Sequence, residues 1–285
     1  MKGKRALVLA LVCAAASAEA QTWSVMPGHG EEGLLVAAWG SGRENLAFLS
    51  QGGTILKSTD GGRSFTHLKL DAPNTTAIWG TGNELYVLGP GIIYHSTDST
   101  TWTGAKILNA PALNGVWGSG PRDVYVVGDR GTILHSTDGG LGWTEPTSHT
   151  QAGLAGVWGA GTTDVFIVGA GGTILHSGDG GKTFAPQTSG VTSDLYAVWG
   201  TSKNDVWAVG ADGTVLHTTG GSWGKAVALA GASSTILTAV GLVMMVSSSF
   251  AIGAPMAAIW ACLGFAFWRW RGRLRCAEAN GAIST

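Results

Sequence analysis

Four of the seven histidines, His95, His135, His176 and His217, occupy one register, each just ahead of a polar hairpin. Lys57 holds the same place earlier in the chain. Imidazoles beside carboxylates are the raw material of metal sites and of proton transfer. A shared metal, however, needs its ligands within about 2.1 Å of one ion. Residues recurring at one position of separate structural units stand far apart, so the pattern predicts no metal, and the histidines read as covering the polar side of a strand. Asp123, Asp164 and Asp205 also recur, each opening an apolar alternating stretch. Two carboxylates can serve as acid and as base or nucleophile in glycoside hydrolysis, but recurrence argues for a turn role instead. The acids that break the repeat, Glu31, Glu32, Asp194 and Glu145, are the better candidates, and nothing links them. There is no phosphate-cradling glycine loop with a following Lys, no zinc spacing and no heptad. The expectation is therefore no catalytic residue, no cofactor and no metal.

The elements that position these residues are written as a repeat. A Trp-Gly pair recurs at Trp39, Trp79, Trp117, Trp158 and Trp199, at spacings of 40, 38, 41 and 41 residues. A turn follows each pair, then an alternating strand such as "DVYVVG", a tight glycine turn, and a second strand such as "GTILHS". Period-two alternation bounded by glycine-rich turns predicts half-buried antiparallel strands. Four short strands in roughly 40 residues make one propeller blade. The fold class expected is all-β: a propeller of about five four-stranded blades, with a partial six- or seven-bladed ring left open. The five tryptophans are expected to pack blade on blade, with stacking on sugars as the alternative. "QTWSVMP" at 21–27 resembles the outer strand "GWTEP" at 142–146 and is a candidate clasp, yet the fifth repeat owns an outer strand of its own, "SWGKAV" at 222–227.

The hairpins carry a family resemblance. "STDGGRSF" (58–65), "STDGGLGW" (136–143) and "SGDGGKTF" (177–184) resemble the Asp-box, or BNR repeat, with "STDSTTW" (96–102) a shortened version and "TTGGSW" (218–223) lacking the Asp. The box residues are Ser58, Asp60, Gly62 and Phe65; Ser96, Asp98 and Trp102; Ser136, Asp138, Gly140 and Trp143; Ser177, Asp179, Gly181 and Phe184. Ser and Asp side chains in such a turn accept backbone N–H groups, and the aromatic packs beneath. The boxes are similar to those of sialidases, sortilin-like receptors and photosystem II assembly-factor propellers. That resemblance implies blade geometry, with the box on the outer rim away from any catalytic centre. The sialidase set is missing. Only Arg43, Arg63, Arg122 and Arg130 lie in the repeat region, the arginine-bearing run before the first box is absent, and Tyr86 and Tyr125 share a packing position.

Composition bounds the rest. Residues 21–224 hold 16 acidic and 9 basic side chains, a balance of −7, which disfavours a nucleic-acid surface. Residues 1–20 read as a secretory signal, with Lys2, Lys4 and Arg5 ahead of a short apolar run and small residues for cleavage. No cysteine lies between 21 and 224, so an exported domain would rest on packing alone. Residues 226–268 carry no charged side chain, and arginines follow at 269, 271, 273 and 275. The division expected is a propeller over 21–224, a linker or start of the hydrophobic tail over 225–244, a transmembrane helix over 245–268, and a basic cytoplasmic tail over 269–285. A frame-shifted end would leave the same composition, and that alternative stays open. The function expected is a non-catalytic, exported, membrane-tethered scaffold with a protein or glycan partner and no nucleic acid. The alternative is a glycoside hydrolase of BNR-repeat type using two propeller carboxylates.

Overall fold

The computed structural model describes residues 33–107 and 111–228. The signal segment, the 21–27 clasp and the tail from 229 onward lie outside the described residues. Among the described residues no helix is long and apolar enough to cross a membrane.

The repeat folds as five antiparallel sheets in sequence order. The first blade is β1 (Leu35–Gly40), β2 (Leu46–Ser50), β3 (Thr54–Ser58) and β4 (Thr66–Lys69). The second is β5 (Ala77–Thr81), β6 (Glu84–Gly89), β7 (Ile92–Ser96) and β8 (Thr103–Lys106). The third is β9 (Leu113–Gly120), β10 (Asp123–Gly128) and β11 (Ile133–Ser136), its fourth position reduced to a bridge between His135 and Thr144. The fourth is β12 (Leu154–Gly159), β13 (Val165–Gly169), β14 (Ile174–Ser177) and β15 (Ala185–Gln187). The fifth is β16 (Leu195–Ser202), β17 (Asp205–Gly210), β18 (Thr214–Thr218) and β19 (Gly224–Ala228). Every strand pairs with its sequence neighbour, which is the up-and-down order of a propeller blade. The fifth blade thus keeps its own outer strand, β19, on the edge of β18.

The core is divided among the junctions between blades. One apolar cluster joins blades one and two through Trp39, Leu49, Ile55, Ile78 and Leu85. Equivalent clusters join blades two and three, three and four, and four and five. Each junction uses one device: a tryptophan lies against the glycine of the next Trp-Gly pair. A Cβ built on Gly80 would stand 3.3 Å from the Trp39 ring, one on Gly118 2.5 Å from Trp79, and one on Gly200 2.8 Å from Trp158; one on Gly159 would overlap Trp117. Glycine is required there because a side chain would press on both the indole and a carbonyl oxygen of the following strand, that of Glu84, Asp123, Asp164 or Asp205, in an interior packed too densely to give way. Gly40 differs, since the atoms around it come from its own blade: Asn45, Leu46 and Gly42. Among the described residues no apolar cluster joins blade five to blade one.

Candidate functional site

The five innermost strands, β1, β5, β9, β12 and β16, surround one cavity of about 670 Å³. All five tryptophans of the Trp-Gly pairs contribute to its wall, with Trp39, Trp158 and Trp199 themselves buried. The remaining lining is glycine, small apolar residues and a few hydroxyl or amide groups. No Asp, Glu, His, Lys or Arg lines the cavity among the described residues. The position three before each tryptophan carries Val36, Thr76, Asn114, Ala155 and Tyr196, a different residue in every blade. The position two after it carries Ser41, Thr81, Ser119, Ala160 and Thr201, small in every blade. One end of the cavity therefore repeats while the other varies.

The recurrent acids and histidines lie elsewhere and meet within each blade. His135 Nε2 is 2.7 Å from Asp123 Oδ1, His217 is 2.8 Å from Asp205, and His95 and His176 are each 3.4 Å from Glu84 and Asp164. Burial alone would raise Asp123 and Asp205. For Asp123, hydrogen bonds from His135 and Ser119 hold the carboxyl below its ordinary range. For Asp205, Thr201, His217 and Trp207 do the same. Each histidine also stacks on a ring of the middle strand: His95 on Tyr86 at 4.2 Å, His135 on Tyr125 at 4.0 Å, His176 on Phe166 at 4.3 Å and His217 on Trp207 at 3.9 Å. The tryptophan of the inner strand continues the row in three blades, as in Trp117, Tyr125 and His135. These imidazoles close a cross-strand ring ladder and are not a polar cover, because the registers Trp117 to Tyr125 and Tyr125 to His135 place the three on one face. The first blade has Ala47 and Lys57 instead, and burial lowers the Lys57 pKa while its Nζ donates to Ser99 of the next blade at 2.7 Å. Sequence reading saw both halves of the pairs but not the pairing, although the constant separation of 11 or 12 residues signals it.

The acidic hairpins are closed by their own side chains. Ser58 donates to Asp60 at 2.8 Å and accepts the Gly62 N–H at 2.8 Å, while Asp60 accepts from Ser64 Oγ and from the N–H groups of Arg63 and Ser64. Ser136 with Asp138 and Ser177 with Asp179 repeat the pattern. Asp98 keeps the Thr100 and Thr101 N–H bonds and the bond from Ser96 in the shortened hairpin. Those donors depress all four carboxyls, led by the Ser64 hydroxyl at Asp60 and by backbone N–H groups at Asp98, Asp138 and Asp179, the last falling to about 2. The aromatics that end the hairpins enter the junction with the preceding blade: Trp102, Trp143, Phe184 and Trp223. Gly140 lies against Tyr86 and Gly181 against Tyr125 in the same way.

Of the other candidates, Glu31 and Glu32 lie outside the described residues. Asp194 accepts the Gly171 N–H at 2.8 Å, and Glu145 is exposed. Arg43, Arg63, Arg122 and Arg130 do not line the cavity. Among the described residues no group of three or more His, Cys, Asp or Glu side chains could hold a metal ion.

Comparison with family models and with curated proteins finds no match to this sequence. Solved structures do match. YCF48 from Cyanidioschyzon merolae superposes with a TM-score of 0.55 at 16% identity, over 72% of this chain and 71% of that one. A structure titled "YCF48 bound to D1 peptide" superposes with a TM-score of 0.44 at 15% identity, over 73% of this chain and 85% of that one. The first likeness supports the propeller fold.

Proposed function

We propose that this chain is a non-catalytic propeller whose task is to hold a protein partner, built from hairpins of the Asp-box type. The cavity at the axis carries the reading. A glycosidase needs two carboxylates some 5–10 Å apart around its substrate, and this wall offers tryptophan, glycine and hydroxyl groups with no carboxylate among the described residues. The carboxylates of the repeat are committed to histidines or to hairpin N–H groups. A cavity rich in aromatic surface with a few polar groups is suited to binding. A glycan remains the second partner class, because indole faces also stack on sugar rings.

We further propose export by the 1–20 segment and attachment to the cytoplasmic membrane by the apolar stretch ending at 268, ahead of the four arginines. The test is direct. The full chain in detergent is given a panel of aryl glycosides and, separately, is cross-linked in its native envelope and the adducts identified. The expected result is no turnover and a discrete protein adduct. Glycoside turnover abolished by replacing a propeller carboxylate would overturn the reading.

A further inference from the structure

We propose that the variable mouth of the axial cavity is a docking site for an extended peptide segment whose centre is uncharged and whose flanks carry Lys or Arg. This rests on the protein-binding reading above and says where and what the propeller binds. Three features of the mouth support it. First, chemical variety in the cavity wall is concentrated at the residue three before each tryptophan, and all five of these residues stand at this end. Packing alone would favour one small residue repeated, as at the opposite end. Thr76 and Asn114 are already tied across junctions, to the Leu113 and Leu154 carbonyls at 2.8 and 3.0 Å, which leaves Tyr196 as the large side chain presented to solvent.

Second, exposed apolar surface gathers here. Among the described residues the large hydrophobic side chains that stand exposed are Leu34 at 65%, Leu35 at 44%, Tyr196 at 40% and Leu141 at 89%. Tyr196 lines the mouth near the start of β16, Leu35 opens β1 just ahead of the lining residue Val36, Leu34 precedes it, and Leu141 lies in a hairpin at the other end. Clustered apolar surface beside a cavity marks a contact surface, and tyrosine is a preferred anchor in such surfaces.

Third, the rim is acidic while the cavity is uncharged. Asp129, Asp194 and Asp212 stand exposed around it, fixed by Asn114, the Gly171 N–H and Ser193 at 2.9, 2.8 and 3.0 Å. Arg130, next to Asp129 in the chain, and His149 are exposed as well. A charged residue drawn into the cavity would lose its water without gaining a counter-ion, whereas a lysine or arginine beside the segment would meet a carboxylate.

The test uses the full chain in detergent and fluorescein-labelled peptides of Val, Leu and Ser bearing paired lysines at both ends, paired glutamates at both ends, or lysines at the ends and an aspartate in the middle. The lysine-flanked peptide is expected to bind roughly tenfold or more tightly than the other two, and to weaken as salt rises. Tyr196→Ala, and Leu34→Ser with Leu35→Ser, are expected to cost roughly tenfold each. Leu141→Ser at the opposite end is expected to leave binding unchanged. Thermal melts of each variant separate lost binding from lost folding. Equal binding of the glutamate-flanked peptide, or full affinity in a folded Tyr196→Ala protein, overturns the proposal. If native cross-links to a protein persist in that variant, the broader protein-binding reading survives and only the mouth is wrong; turnover of a glycoside would remove both.

Discussion

His135 Nε2 stands 2.7 Å from Asp123 Oδ1 while its ring lies 4.0 Å over Tyr125, so one imidazole ties a strand-opening turn to the middle of the sheet. The same arrangement in four of the five blades makes it a structural unit whose removal has a measurable effect.

His135→Ala is expected to destabilise the protein by about 1–3 kcal/mol, because it leaves a half-buried carboxylate with Ser119 alone as side-chain donor and removes a stacked ring. His67→Ala, at an exposed position of an outer strand, is expected to cost less. Chemical denaturation of both proteins checks the difference.

Tyr86 and Tyr125 offer a matched pair. The Tyr86 hydroxyl donates to the Pro121 carbonyl at 3.0 Å, whereas the Tyr125 hydroxyl is buried without a hydrogen-bond partner among the described residues. Burial raises the pKa of both phenols, so both enter the comparison as donors. Tyr86→Phe is expected to lose about 1 kcal/mol, and Tyr125→Phe to be neutral or stabilising. Equal losses in thermal melts would contradict the assigned bonds.

Gly118→Ala and Gly200→Ala push a methyl group against Trp79 and Trp158 and are expected to cost about 1–3 kcal/mol each. Gly120→Ala, with open space around its Cβ, is the control and is expected to be silent. Near-ultraviolet circular dichroism reports the indole disturbance directly.

The hairpin carboxylates set an acid limit. Asp60, Asp98, Asp138 and Asp179 have folded-state pKa values below those of the unfolded chain, with Asp179 at about 2. Their contribution is fully present above the unfolded carboxylate range near pH 4 and is lost as pH falls through the folded values. The melting temperature is expected to drop between about pH 4 and pH 2, less steeply in Asp179→Asn. A profile unchanged by that substitution would remove the hairpin from the account.

The sequence made the blades legible because each one is local. Trp-Gly pairs at near-constant spacing, alternating strands and acidic hairpins all declare themselves within a repeat, and the strands formed where the alternation placed them. What escaped notice lies across strands or across junctions. Asp123 and His135 belong to different strands of one sheet and meet only through the hairpin register. The receiving glycines, such as Gly118 for Trp79, belong to a different repeat from the ring they accept, so a pattern read one repeat at a time does not pair them. The uncharged cavity likewise emerges only when five inner strands are brought around one axis.

The tryptophan-into-glycine joint gives each of the three middle blades a giving side and a receiving side, so the array has a direction. Each joint is complete between two adjoining units and takes no notice of how many others exist. A whole repeat duplicated or deleted in the gene would therefore leave all surviving joints as they were. The lineage of such a protein is free to change its circumference in single steps while keeping its building block intact.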